Sequence, residues 1–133
     1  MIIKFKSIAL QNGQEHITNF KAEAEFYSET IEQDGEKIDY KIISFSDPDN
    51  NLKTKIELNP KSININNNVA TVQLRLKKTH NKTVVYNPHG ELRFKSYLYK
   101  TRFHDNVFNF EYELLTQDND PIGTFKIDIE LVD

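Results

Sequence analysis

Residues 108–114, Phe-Asn-Phe-Glu-Tyr-Glu-Leu, and residues 125–131, Phe-Lys-Ile-Asp-Ile-Glu-Leu, decide the fold. In both, an apolar side chain follows every polar one. A period of two places the two kinds on opposite faces of a strand, so each segment is half buried. Between them lies Asp118-Asn119-Asp120-Pro121, a cluster of turn-forming residues. A hairpin closed there sets Phe110 opposite Ile127, Tyr112 opposite Phe125 and Glu111 opposite Lys126. Apolar meets apolar and charge meets opposite charge. Upstream, a hairpin closed at His104-Asp105-Asn106 sets Tyr97 opposite Glu113 and Tyr99 opposite Glu111.

The alternation recurs outward from this pair. Residues 72–76 read Val-Gln-Leu-Arg-Leu, and in 52–58 Leu52, Thr54, Ile56 and Leu58 oppose Lys53, Lys55 and Glu57. Asn12-Gly13, Asp34-Gly35 and Asn66-Asn67-Asn68 supply residues that tolerate positive φ between runs. The strands expected are 2–10, 14–22, 24–32, 37–45, 52–58, 61–66, 69–78, 82–86, 91–102, 107–115 and 122–132. Segments 14–22 and 24–32 also read as one long bent strand. About ten short strands joined by hairpin turns predict an all-β fold, and closure removes exposed edges. The expected architecture is an antiparallel up-and-down β-barrel of about 8–10 strands in one domain over 1–133. Its inner face should hold Val72, Leu74, Leu76, Leu92, Phe94, Phe108, Phe110, Phe125, Ile127 and Ile129.

The stretch Thr83-Val84-Val85-Tyr86-Asn87-Pro88-His89-Gly90-Glu91-Leu92 resembles the Tyr-x-Thr-Pro-x-Gly signature of the YwiB-like family. These are small calycin-like β-barrel proteins of low-GC Gram-positive bacteria. The ending Ile122-Gly123-Thr124-Phe125-Lys126-Ile127 is similar too, as is the opening hairpin around Asn12-Gly13 followed by Phe20 and Phe26-Tyr27. Asn87 stands where the family has Thr. The resemblance implies a lipocalin-like barrel and carries no activity with it. Heavy use of Lys, Asn, Ile and Phe independently points to a low-GC genome.

Composition excludes several function classes. The chain has no cysteine, which rules out disulfides and thiolate metal sites and fits a reducing, cytoplasmic setting. Lys4 and Lys6 interrupt any secretory leader in the first residues, and no apolar run reaches the ~18 residues of a membrane helix. A formal charge of −3 gives no global pull toward nucleic acid or acidic lipid, and neither is an expected partner.

Chemical motifs are sparse. His16, His80 and His104 read as solvated histidines in or beside turns. Asp47-Pro48-Asp49-Asn50-Asn51 imitates the start of a calcium loop, but Leu52 and Leu58 fill the positions that need Gly and Glu. No phosphate-binding glycine loop, G-x-S-x-G or H-E-x-x-H occurs. No catalytic residue, metal ligand or cofactor is assigned, and the chain is expected not to be an enzyme.

Two readings of function follow. In the first, the small residues Ala22, Ala24, Ser44, Thr54 and Ser96 occupy inward positions and leave room inside the barrel for an unknown small, largely apolar molecule. Tyr86 and His89, in the Tyr86–Gly90 turn, stand at the mouth and bond its head group, with Ser44 and Ser96 as polar handles. In the second, the protein is an interaction module that uses its outer surface. Lys53 and Lys55, Arg75 and Lys77, and Arg93 and Lys95 lie on outward positions of three strands, beside Tyr97 and Tyr99. If those strands are neighbours they form a basic patch for an acidic partner, though Glu57, Glu91, Glu111 and Glu113 share the same parity and weaken it.

Overall fold

The computed structural model describes residues 1–133 as ten antiparallel strands without a helix. The strands are β1 (Ile2–Gln11), β2 (Gln14–Gln33), β3 (Glu36–Ser46), β4 (Lys53–Asn59), β5 (Ser62–Asn66), β6 (Ala70–Arg75), β7 (Thr79–Asn87), β8 (Gly90–His104), β9 (Val107–Leu115) and β10 (Pro121–Val132). Each pairs with its neighbour in sequence, and β1 pairs with β10, so the sheet closes into a barrel. The expected up-and-down barrel is present.

Turn chemistry acts as the sequence foretold. Asn12 and Gly13 take φ of 52° and 73°, and Asp34 and Gly35 take 52° and 79°. Two consecutive positive φ values make the tight turn whose twist matches the flanking strands. Between β9 and β10, Phe110 faces Ile127, Tyr112 faces Phe125 and Glu111 faces Lys126.

Segments 14–22 and 24–32 form one strand. The first part of β2 pairs with β1, from Gln11↔Gln14 to Ile2↔Glu23, and the rest pairs with β3, from Ala24↔Phe45 to Gln33↔Glu36. The partner changes between Glu23 and Ala24, where the sheet turns its corner. Ala22 and Ala24 sit against the core there, beside the cluster of Phe5, Phe20 and Phe45 with ring centroids 4.9–6.4 Å apart.

The interior is a continuous apolar core. Ile3, Ile43, Phe45, Ile56, Leu58, Ile63, Leu74, Leu98, Phe108, Phe110, Tyr112, Ile127, Ile129 and Leu131 are buried in one cluster. Val72, Leu76 and Phe125 pack on it as expected. Phe94 is half-buried and lies outside that cluster, and Leu92 is 52% exposed. Leu92 pairs with Val85 two residues from the Asn87–Gly90 turn, and β6 begins only at Ala70 opposite Val85, so no further strand covers Leu92 at this rim. Ser44 also departs from expectation, because Ile43 and Phe45 take the inward positions and turn Ser44 outward.

Two local irregularities change the expected strands. The segment 69–78 is not one strand. β6 stops at Arg75, Lys77 takes a φ of 58°, and Lys78 N–H bonds back to the carbonyl of Arg75 at 3.2 Å. On β8, the register shifts between Leu98 and Lys100, leaving Tyr99 as an extra residue. Glu111 therefore faces Lys100, with an ion pair of 2.7 Å, and the Tyr99 phenol donates to Glu113 at 2.9 Å.

Candidate functional site

The sheet face turned away from the core is not uniformly solvated. On β3 the run Tyr40-Lys41-Ile42-Ile43-Ser44-Phe45 has apolar side chains on both parities. Ile43 and Phe45 point inward, while Tyr40 and Ile42 lie outward, yet both are buried. Across the sheet, Ile42 aligns with Glu57 of β4, Glu57 with Asn64 of β5, and Asn64 with Gln73 of β6. One row over, Ser62 aligns with Arg75. Glu57, Ser62 and Asn64 are buried.

These groups satisfy one another. The Asn64 amide nitrogen donates to Glu57 Oε1 at 3.0 Å, and its oxygen accepts from Arg75 Nη1 at 3.0 Å. Asn64 also approaches the Tyr40 phenol at 3.4 Å. Tyr40 meets Ser62 Oγ at 2.5 Å and donates to Gln33 Oε1 at 3.2 Å. With its single proton on Gln33, the phenol oxygen accepts from both Ser62 and Asn64, which gives one consistent network. Lys55 Nζ lies 3.7 Å from Glu57 and offsets its buried charge.

The tip of the β2–β3 hairpin stands over the end of this row and opens a cleft of about 830 Å³. Gln33, Asp34, Glu36, Lys37 and Ile38 form one wall. Asn59, Lys61 and Ser62, with Arg75 through Lys78 and His80, form the other. His80 is half-buried rather than solvated, and its Nε2 is 3.0 Å from Gln73 Oε1. Burial, then the positive charges of Arg75 and Lys82, hold its pKa below the ordinary imidazole value, and Asp34 opposes them. Burial likewise lowers the Arg75 guanidinium, against the pull of Tyr40, Asp34 and Glu57.

The residues assigned from sequence are not gathered in one place. Tyr86 is 41% exposed, and its phenol lies 3.4 Å from Thr71 Oγ1. The His89 side chain is exposed in the turn, where its backbone N–H bonds Asn87 Oδ1 at 2.8 Å. Ser96 is sealed, with its hydroxyl donating to the carbonyl of Gln73 at 2.7 Å, a bond that ties β8 to β6 across the gap left by the turn at Arg75–Lys78. Ser44 lines a separate rim cleft with Met1, Glu23 and Lys53. The basic stripe is also dispersed. β5 separates β4 from β6, and β7 separates β6 from β8, so Lys53, Arg75 and Arg93 stand on strands that are not neighbours. Lys55 pairs with Glu57 and Glu29, and Arg93 with Glu91.

What sequence reasoning missed is the set Tyr40, Glu57, Ser62, Asn64, Arg75 and His80. One signal was present: apolar residues on both parities of 40–45 mean that both faces of β3 are covered.

Fold and site together define a closed ten-stranded antiparallel barrel with a filled apolar interior and a polar cleft on its outside. The chain is similar in fold to the YwiB protein from Bacillus subtilis, with a TM-score of 0.70 and 12% sequence identity over 99% of this chain and 91% of that one. No protein-family model and no curated protein sequence matches the chain.

Proposed function

We propose that this protein is a non-enzymatic binding module that works through its outer surface, at the polar cleft beneath the β2–β3 hairpin. One observation carries the reading: Tyr40, Glu57, Ser62 and Asn64 are buried and mutually hydrogen-bonded on the face away from the core. Buried polar networks cost desolvation and are conformationally specific, so they make rigid platforms for the groups beside them. The barrel interior offers a poorer site, because its large side chains pack into one cluster. The lack of cysteine supports a cytoplasmic setting.

The test is amide chemical-shift mapping against a defined set of small polar and small apolar molecules. Shifts confined to Gln33, Asp34, Lys61, Ser62, Arg75 and His80 are expected. Shifts centred on Leu74, Leu98 and Phe110 would instead place an apolar ligand inside the barrel and overturn this reading.

A further inference from the structure

Arg75 is half-buried, yet no carboxylate lies within 4.0 Å of its guanidinium. Its nearest buried acid, Glu57, is held off by Asn64, which takes an Arg75 N–H on its oxygen and gives its own N–H to Glu57. Nη1 is further fixed by the carbonyl of Leu74 at 2.9 Å. These two bonds pin one corner of the guanidinium plane. The Nε and Nη2 edge has no protein acceptor, and Arg75 lines the cleft.

Lys61, Lys77 and Lys78 line the same cleft, none of them in an ion pair. Their backbone is set firmly. Leu76 N–H bonds the carbonyl of Lys61 at 3.0 Å, Lys77 N–H bonds that of Leu98 at 2.9 Å, and Lys78 N–H closes the turn onto Arg75. Elsewhere four outward cations are neutralised, Lys55 by Glu57, Arg93 by Glu91, and Lys100 and Lys126 by Glu111, while Lys4 and Lys6 face Glu130 and Asp128 without an ion pair. The cleft keeps four cations on one wall, with Asp34, Glu36, Asp39 and Lys37 on the β2–β3 side opposite.

A guanidinium edge matches two oxygens of one oxyanion, and a partly desolvated cation gains most from such a partner. We propose that the cleft binds a small molecule through its phosphate or carboxylate group, with the Nε–Nη2 edge of Arg75 as the bidentate anchor and Lys61, Lys77 and Lys78 as the surrounding charge. This rests on the outer-surface reading above and adds the ligand's chemical class.

The experiment titrates isotopically labelled protein with sodium phosphate and, separately, with sodium succinate at constant ionic strength. The Arg75 Nε–H and the amides of Lys61, Lys77 and Lys78 report binding. Saturable shifts are expected, with the tighter of the two anions identifying the source of the oxyanion. Arg75→Gln should weaken binding about tenfold, the size of one charge-assisted contact. Arg102→Gln, at an exposed arginine outside the cleft, should leave it unchanged. Arg75→Lys retaining full affinity would show that charge alone suffices and would overturn the bidentate anchor. Unsaturable shifts, or equal losses in Arg75→Gln and Arg102→Gln, would overturn the site. Should Arg75→Gln fail to fold, Lys77→Gln with Lys78→Gln removes two cations without touching the buried network, and undiminished binding there also refutes the proposal. If neither anion binds while other polar molecules shift the cleft, the ligand class is wrong and the outer-surface reading stands. Shifts at the core instead remove both.

Discussion

The Tyr40 phenol and the Ser62 hydroxyl meet at 2.5 Å, on a sheet face that in most antiparallel barrels looks into water. Both residues are buried, at 1% and 4% exposure. Tyr40→Phe removes the phenol oxygen and leaves Ser62 and Asn64 without that partner. The expected loss is about 1–3 kcal/mol, the penalty for stranded buried polar groups. Urea unfolding measures it, and a loss below about 0.5 kcal/mol would mean that water replaces the phenol freely.

Phe110 tests the core. It is 1% exposed and faces Ile127 on β10. Phe110→Ala should cost about 3–5 kcal/mol, from lost burial and the cavity left behind. A cost under about 1 kcal/mol would show that the interior collapses without strain around the gap.

Gly123 tests the seam between β1 and β10. A Cβ there would lie 2.7 Å from Gln11 Cγ and 3.0 Å from the carbonyl oxygen of Leu10. The Gln11 side chain can move, whereas the Leu10 carbonyl belongs to the paired strand. Gly123→Ala should therefore destabilise by about 1–3 kcal/mol, as overpacking does. An unchanged melting temperature would show that the seam yields.

His80 gives a pH dependence with a definite sign. Burial and the charges of Arg75 and Lys82 depress its pKa in the fold below 6.5. The unfolded chain therefore takes up the proton first as pH falls. This group's contribution to stability is complete above 6.5 and declines as pH drops through that value toward the folded pKa. An imidazole titration followed by NMR should give a midpoint below 6.5, and His80→Gln should reduce the difference in stability between about pH 7.5 and about pH 5.5. A midpoint at or above 6.5 would mean that the ring is solvated after all.

Much of the barrel was legible because it is written locally. Asn12-Gly13 and Asp34-Gly35 dictate their turns, and the alternation in β9 and β10 admits one register. The turn at Arg75–Lys78 was hidden because lysine has no preference for the φ of 58° that Lys77 adopts, and Leu76 continues the apolar alternation. The cleft was harder still. Ser62, Asn64, Gln73 and Arg75 alternate with apolar residues just as a solvated face would, and no local signal says that a hairpin from far upstream will overhang them. Tyr86 and His89 drew notice through their proline turn, but that turn lies where the barrel ends and nothing converges on it.

The pairing of Ile2 with Val132 and of Leu10 with Thr124 joins strands from nearly opposite ends of the sequence. During synthesis, β1 through β9 therefore emerge while the partner that completes their sheet is still being made. Until β10 arrives, β1 and β9 each present an unpaired edge, open to strands of other nascent chains. Closure also waits on a contact of the greatest sequence separation the fold contains, so the final step should be slow and should set the folding rate. Lys4 and Lys6 on β1 and Glu111 and Glu113 on β9 put charge along these waiting edges, where it discourages pairing with the wrong strand.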